Sequence, residues 1–255
     1  MKYSFRLRPV VALIVALTTI GAAEHKPEVI VGAAANLTMV FQELGAKFEA
    51  ETGIHPVFSF ASSAQLAQQI QNGAPFDVFA SAQTADVDHL AKQGKLDRAS
   101  VAIYARGVLA LWIPPTSSLK VKTLEELAAS DAKVIAVAKP ELAPYGAASV
   151  AALKRAGVWD RIKDRIVYAG NIAMARQYGQ SGNADAVLTA YSLVMRDRGK
   201  VIRLDPASYA PIDQELGILT EASNVAEARR FVDYLLRGNG RSILAKFGYQ
   251  PLGGL

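Results

Sequence analysis

Residues 29–48, with the sequence VIVGAAANLTMVFQELGAKF, decide how this chain folds. Val29-Ile30-Val31 has the apolar, β-branched composition of a short buried strand. The apolar residues that follow lie on one face of a helix, at the spacing i, i+3, i+4 and i+7: Leu37, Val40, Phe41, Leu44 and Phe48. Small residues and one asparagine join the two patterns. The stretch therefore predicts a buried strand that passes through a tight turn into an amphipathic helix.

The same strand-and-helix unit recurs in two series along the chain, which favours an α/β architecture. In the first series, residues 56–60 and 77–80 predict strands, and a helical pattern follows each of them. A β-rich run at residues 107–113 ends at Pro114, and a second series then continues to residue 188. Two series are more than a single sheet needs.

We therefore predict two α/β lobes with a ligand cleft between them. The chain is expected to cross over near residue 105 and to return near residue 217. Residues 24–104 and 218–255 then form lobe I, and residues 105–217 form lobe II. One large doubly wound domain is the alternative.

The start of the chain has the three parts of a secretory signal peptide. A positive segment, an apolar centre and small residues before a cleavage point follow in this order: Lys2, Arg6 and Arg8, then residues 10–20, then residues 21–23. A membrane anchor is the alternative, but a spanning helix needs about 20 apolar residues and this run is shorter. We predict cleavage before Glu24.

Charge and cysteine content set further limits. Loss of residues 1–23 removes three positive charges, so the formal net charge falls from +5 to +2. A charge this small gives no reason to expect binding to nucleic acid or to an anionic membrane. The chain has no cysteine, which excludes disulfides and a lipid-modified N-terminus. The sequence predicts a soluble, monomeric periplasmic protein that is not lipidated.

Patterns typical of enzymes are weak, and we expect no catalytic activity. The three histidines, His25, His55 and His89, do not have the spacing of metal ligands. Residues 179–183, GQSGN, resemble a nucleophile elbow only superficially, because they connect a helix to a strand. No phosphate-binding or dinucleotide glycine pattern occurs. An exported α/β hydrolase remains as an alternative of a different class.

Small polar residues recur where a predicted strand passes into a helix. They occur at residues 33–36, 61–63, 144–147 and 170–172. A helix start leaves backbone N–H groups unpaired and carries about half a positive charge, so several starts in one cleft can hold an anion with neutral donors. In open α/β sheets such turns lie at the carboxyl ends of the strands, where ligands bind. The alternative is that Asn36 and Ser63 are simple N-caps.

Three motifs and a closing segment together resemble the periplasmic molybdate-binding family. They are residues 31–37 (VGAAANL), 58–63 (FSFASS), 73–82 (GAPFDVFASA) and 247–249 (FGY). The resemblance covers essentially all of the chain after residue 23. It implies the type II two-lobed periplasmic-binding fold, with molybdate or tungstate held between the lobes by hydroxyls and backbone amides. It also implies delivery to the permease and ATPase of an ABC importer. No cofactor is implied, and molybdenum enters only as the bound oxyanion.

The resemblance also implies which residues bind the ion. Asn36 stands where the commoner family pattern has serine, and Ser63 matches a serine that gives its hydroxyl and its N–H. Tyr145 lies at a turn of lobe II where some members use the backbone amide of an alanine. Ile172 matches an apolar residue that gives its backbone N–H. Ala35, beside Asn36, is a further candidate.

The sequence departs from the family pattern near residue 189. Many members place a ligand tyrosine where Thr189 aligns, and Tyr191 lies two residues further along. Either of these two residues, or Tyr145 in their place, is expected to supply a hydroxyl.

Carboxylates are not expected in the site, because Asp77 and Asp185 lie where each more readily hydrogen-bonds a turn. A site with donors alone suits a fully deprotonated oxyanion, whereas a protonated phosphate needs an acceptor. Sulfate also lacks a proton and remains an alternative ligand.

Overall fold

A computed structural model describes residues 26–250. The predicted signal peptide and its cleavage point lie outside the described residues. The ten strands of the described part are β1 (Glu28–Ala34), β2 (His55–Ala61), β3 (Val78–Ala80), β4 (Ala102–Gly107), β5 (Leu109–Ile113), β6 (Ile135–Ala138), β7 (Ile166–Ala169), β8 (Ala186–Ala190), β9 (Lys200–Arg203) and β10 (Ile212–Ile218).

Ten α-helices accompany these strands over residues 26–250. They are α1 (Thr38–Thr52), α2 (Ser63–Gln71), α3 (Thr84–Lys92), α4 (Leu124–Ala129), α5 (Pro144–Arg155), α6 (Trp159–Ile162), α7 (Ile172–Gln180), α8 (Tyr191–Val194), α9 (Val225–Arg237) and α10 (Gly240–Lys246). A short 3-10 turn, Ala35–Leu37, leads directly into α1. No helix among the described residues is long and apolar enough to cross a membrane.

The strands form two separate five-stranded sheets. Sheet 1 has the order β2-β1-β3-β10-β4, and sheet 2 has the order β7-β6-β8-β5-β9. In each sheet three neighbouring strands are parallel, and the other two pairings are antiparallel. Helices cover the sheets, so the predicted α/β class is confirmed, and each sheet forms the centre of one lobe.

The opening stretch of sequence forms β1 and α1, a buried strand followed by an amphipathic helix as predicted, and β1 lies between β2 and β3 in sheet 1. β1 pairs in parallel with both β2 and β3. The apolar face of α1 is fully buried, and the Phe48 ring packs edge-on against Phe231 of α9 at 5.3 Å between centroids. Burial of a large side chain of this kind contributes about 1.5–3 kcal/mol. The opposite face of the sheet is covered by α2 and α3.

The chain changes sheets twice, at positions that differ from those expected. Val108 alone separates β4 of sheet 1 from β5 of sheet 2, and the return to sheet 1 falls between Arg203 and Ile212. The expected crossings at 105 and 217 therefore fall inside β4 and β10, which pair with each other in sheet 1. The reason is that the two strands pair with each other over Ala102–Gly107 and Ile212–Leu216, which keeps both of them wholly in sheet 1.

Gly146 allows the first turn of α5 to lie directly against the end of β6. A Cβ atom at this position would overlap the carbonyl oxygen of Ala138 and lie 2.9 Å from its carbon. Both atoms belong to the backbone of a buried strand and cannot rotate away. The close approach fixes the start of α5, where Pro144 and Tyr145 are the first two helical residues.

We expect Gly146→Ala to lower the free energy of unfolding by about 1–3 kcal/mol, because the added methyl group forces α5 away from β6. In a domain of this size that is a fall in Tm of roughly 2–4 °C for each kcal/mol. Urea unfolding and thermal melts measure the effect. Gly170→Ala is the matched control, since its Cβ would meet the flexible Met174 sulfur at 3.3 Å. Equal stabilities for the two variants would contradict the packing argument.

Candidate functional site

A small cavity with about 200 Å³ of atom-free space lies between the two lobes. Every residue that lines it belongs to a turn at which a strand leads into a helix, or to the first turn of that helix. The lining residues are Ala34, Ala35, Asn36, Ser62, Ser63, Ala82, Ala143, Pro144, Tyr145, Asn171 and Ile172. None of these residues carries a charge.

Four helix starts therefore meet at one point: those of α1 and α2 from the first lobe and those of α5 and α7 from the second. Cap interactions use some of the N–H groups in these first turns. In α7, for example, the Asn171 side chain accepts from the Met174 N–H at 2.9 Å. The N–H groups of Ser63, Tyr145 and Ile172 precede the first intrahelical bonds and are left without a helical acceptor. Together with the helix dipoles, they make the cavity attractive to an anion.

Ser62 and Ser63 are adjacent but have different roles: Ser62 caps α2, and Ser63 bonds the turn at Ala82. Ser62 is the N-cap of α2, where its hydroxyl and the Gln65 side chain form a capping box. The Ser63 hydroxyl oxygen accepts from the Ala82 N–H at 3.0 Å. Its own hydrogen is then free to point into the cavity. The alternative that Ser63 is an N-cap is therefore wrong, because its neighbour has that role.

Asn36 is buried and is held by side chains from distant parts of the chain. Its Nδ2 donates to Gln214 Oε1 at 2.7 Å and to the Tyr249 hydroxyl at 2.8 Å. Its carbonyl oxygen accepts from the Tyr249 hydroxyl at 3.0 Å and from the Ser192 hydroxyl at 3.2 Å. No cap bond is formed by its side chain, so the N-cap alternative is wrong here too. Its Oδ1 is buried without a partner among the described residues.

Tyr145 lies on the opposite wall and is only 1% exposed. Its hydroxyl oxygen accepts from Gln214 Nε2 at 3.0 Å. Burial raises the pKa of Tyr145 well above the ordinary value, and burial likewise raises the pKa of the neighbouring Tyr104 and Tyr249. The three phenols therefore stay neutral and can act as hydrogen-bond donors at any physiological pH.

Two hydrogen bonds across the cavity rim join the lobes directly. The Ala64 N–H of α2 donates to the carbonyl oxygen of Leu142, in the turn before α5, at 3.3 Å. On the other side, the Ser192 hydroxyl of α8 reaches the Asn36 carbonyl oxygen. These contacts hold the two lobes together.

Comparison with known proteins shows which family this chain belongs to. The model for bacterial extracellular solute-binding proteins matches residues 29–250. The chain belongs to this family. It is 34% identical over 256 residues to the molybdate-binding protein of Azotobacter vinelandii, covering 96% of this chain and 98% of the relative. It is 32% identical over 223 residues to that of Rhodobacter capsulatus, covering 87% and 88%.

The solved periplasmic molybdate-binding protein of Azotobacter vinelandii has the same fold. It superposes with a TM-score of 0.84 at 29% identity, over 88% of this chain and 99% of that one. The resemblance to the periplasmic molybdate-binding family and the two-lobed periplasmic-binding fold are both confirmed.

The structure brings five of the predicted ligand residues of this solute-binding protein to the cavity and leaves two away from it. Asn36, Ser63, Tyr145, Ile172 and Ala35 line the cavity. That they bind an ion stays a prediction.

Thr189 and Tyr191 do not line the cavity. Thr189 is buried, and its hydroxyl donates to the Ile172 carbonyl oxygen at 3.3 Å, behind the start of α7. The Tyr191 ring lies against Arg203, with the guanidinium carbon 4.4 Å from the ring centroid. The Thr189 hydroxyl is thus used by the backbone of α7, and the turn into α8 directs Tyr191 toward Arg203.

The two aspartates have the structural roles expected of them. Asp77 accepts from the Ile30 N–H at 2.8 Å and from the Asn224 N–H at 2.9 Å, and Asp185 accepts from the Val134 N–H at 3.0 Å. The prediction that they bond turns is confirmed. The described residues contain no cluster of acidic or histidine side chains that could hold a metal ion.

Sequence reasoning missed Ala82 and Ala143 as lining residues and Gln214 as the support of Asn36 and Tyr145, whereas Asn171 lies in one of the four predicted turns. Ala82 ends one of the family motifs quoted above, and the motif could have indicated it. Asn171 has a cap signal, since asparagine immediately before an apolar helical residue is typical of an N-cap. No local sequence pattern indicated Gln214, because it lies inside a strand and comes next to Asn36 and Tyr145 only when the chain folds.

We expect stability to fall as the pH rises above about 10, where unfolded tyrosine ionises. Folding raises the pKa of Tyr104, Tyr145 and Tyr249, so their contribution is complete below pH 10 and is lost as the pH climbs toward the folded values. Each phenol adds up to about 1.4 kcal/mol per pH unit to the slope.

Urea unfolding between pH 8 and pH 11 measures this slope, and Tyr249→Phe should make it shallower by one phenol's share. A phenol that ionises near pH 10 in the folded protein, seen by ultraviolet absorbance, would contradict the assignment of the burial effect.

Proposed function

We propose that this protein captures molybdate or tungstate in the periplasm, in the cavity between its lobes, and delivers it to an ABC importer. One observation carries the proposal: the cavity has an uncharged lining built from four helix starts and from hydroxyl and amide donors. The named relatives and the solved neighbour are molybdate-binding proteins, which supports the same ligand. The proposed ligand residues are Asn36, Ser63, Tyr145 and Ile172, with Ala35 beside them.

The donor-rich lining favours an anion that carries no proton. Backbone N–H groups and hydroxyls can satisfy the oxygens of a fully deprotonated tetrahedral ion, and helix dipoles offset its charge. No carboxylate lines the cavity to accept the proton of a hydrogen phosphate. The Asn36 Oδ1 is the unpaired acceptor of the lining, so phosphate is the informative competitor in any test.

Location and partners follow from the same family. We propose that residues 1–23 are removed on export, that the mature chain is a soluble monomer, and that it carries no lipid. Support comes from the signal-peptide pattern of these residues and from the lack of cysteine in the chain. The proposed partner is the permease of an importer with its ATPase. We propose no cofactor and no enzymatic activity, since the lining residues include no histidine, cysteine or carboxylate.

Calorimetric titration with molybdate, tungstate, sulfate and phosphate tests the ligand. We expect one ion per chain for molybdate or tungstate, with a Kd of a few micromolar or tighter. The estimate follows from about −1.5 kcal/mol per heavy atom for the best small ligands, or about −7.5 kcal/mol for five atoms. Binding of phosphate with no heat from either metal oxyanion would falsify the proposal, and preference for sulfate would change its ligand.

Ser63→Ala tests the site itself. The substitution removes a hydroxyl hydrogen directed at the ion, and a hydrogen bond to a charged partner is worth about 1.5–3 kcal/mol. We expect the Kd for molybdate to rise roughly tenfold to hundredfold.

The matched control is Ser62→Ala, one residue earlier in the same turn. Its side chain is committed to the capping box, so we expect a loss of about 1 kcal/mol of stability and little change in affinity. Calorimetry and thermal melts on both variants separate the roles. If both substitutions change the Kd equally, the Ser63 hydroxyl has no special contact with the ion.

A further inference from the structure

Gln214 lies behind the cavity, on β10, and is completely buried. Its Oε1 accepts from Asn36 Nδ2 at 2.7 Å and lies 2.9 Å from the Tyr104 hydroxyl. Its Nε2 donates to the Tyr145 hydroxyl at 3.0 Å. One side chain thus contacts a proposed ligand residue from each lobe.

The direction of these bonds is fixed by a backbone carbonyl group. The Asn36 carbonyl oxygen can only accept, so the Tyr249 hydroxyl donates to it at 3.0 Å. The Tyr249 oxygen must then accept from Asn36, which turns Nδ2 of Asn36 toward Tyr249 and Gln214. Because the Asn36 amide nitrogen faces Gln214 and donates, the Gln214 atom opposite it has to be an oxygen that accepts. Oε1 of Gln214 therefore faces Asn36, and its Nε2 faces Tyr145.

This orientation determines what the Tyr145 hydroxyl can do. Because its oxygen accepts from Gln214, its hydrogen has to point elsewhere. Within residues 26–250 no protein acceptor lies within hydrogen-bond distance of that hydrogen, and Tyr145 lines the cavity.

The strand pairing holds Gln214 in this place. The register between β10 and β4 shifts between Gln214 and Glu215, so that Tyr104 is an extra residue in β4. A bulge of this kind redirects a side chain. The Tyr104 hydroxyl lies 2.9 Å from both the Ser81 carbonyl oxygen and Gln214 Oε1, and these two acceptors share its single hydrogen.

We propose that Gln214 is a positioning residue of the oxyanion site, which holds the Tyr145 hydroxyl as a fixed donor to the bound ion. The inference rests on the proposed function, because it takes a tetrahedral oxyanion as the ligand. Gln214 does not touch the ion. It acts through Tyr145, and because it also bonds Asn36 of the other lobe, the donor is set in the closed arrangement of the lobes.

A double-mutant cycle tests this role, with molybdate affinity measured by calorimetry. Gln214→Met keeps the size of the side chain and removes its amide, and we expect the Kd to rise roughly tenfold. Tyr145→Phe removes the donor and should raise the Kd at least as much. In the Tyr145→Phe background, Gln214→Met should then raise the Kd by a smaller factor than in the wild-type background, because only its contact with Asn36 is left to lose.

Tyr209→Phe is the matched control, since it removes another buried hydroxyl, one that accepts from the Leu109 N–H at 3.1 Å outside this network. It should leave the Kd within about twofold of wild type. If Gln214→Met does not fold, Gln214→Leu replaces it, because this variant also removes the amide and adds no charge. Its loss of affinity should be smaller in the Tyr145→Phe background than in the wild-type background.

The role of Gln214 would be overturned, with the proposed function intact, if the two losses of molybdate affinity multiply in the double variant. A Kd for Gln214→Met within about twofold of wild type would overturn it as well. A wild-type protein that binds none of the four anions would overturn the proposed function together with it.

Discussion

Four helices begin at one small cavity, and the positive ends of their dipoles meet there beside a lining that carries no charge. This convergence constrains the rest of the molecule. Parallel strands must end at the same edge of each sheet so that the following helices start together. Two sheets must then face each other, because one edge supplies only half of the donors. The doubled α/β architecture is the arrangement that satisfies both conditions.

Neutral donors also need support, since hydroxyls and amides can turn and lose their direction. Here each one is fixed by a partner behind it. Ala82 holds the Ser63 oxygen, Thr189 holds the turn at Ile172, and Gln214 holds both Asn36 and Tyr145. Buried polar networks of this kind are stable only when their members are paired. Pairing also fixes the directions of the donors before a ligand arrives, so the site is preorganised.

The sequence indicated the parts of this site that depend on local patterns. The strand and helix of residues 29–48 could be predicted from hydrophobic spacing, and the four polar turns from helix-start chemistry and family motifs. Features that arise from contacts between distant parts of the chain could not be predicted. Gln214 meets Asn36 across 178 residues of sequence, and the short edge strand β9 has little pattern of its own. The crossings lie away from the expected positions because β4 and β10 pair with each other and so stay in sheet 1 over residues 102–107 and 212–218.

The hydrogen bonds across the rim, from Ala64 to Leu142 and from Ser192 to Asn36, have a kinetic consequence. These bonds must break before the lobes can part. The rate at which a bound ion is released then depends on how often the lobes part as well as on the contacts inside the cavity. Equilibrium affinity and speed of release become separately adjustable, and a receiving protein that spreads the lobes can empty the cavity without competing for its donors.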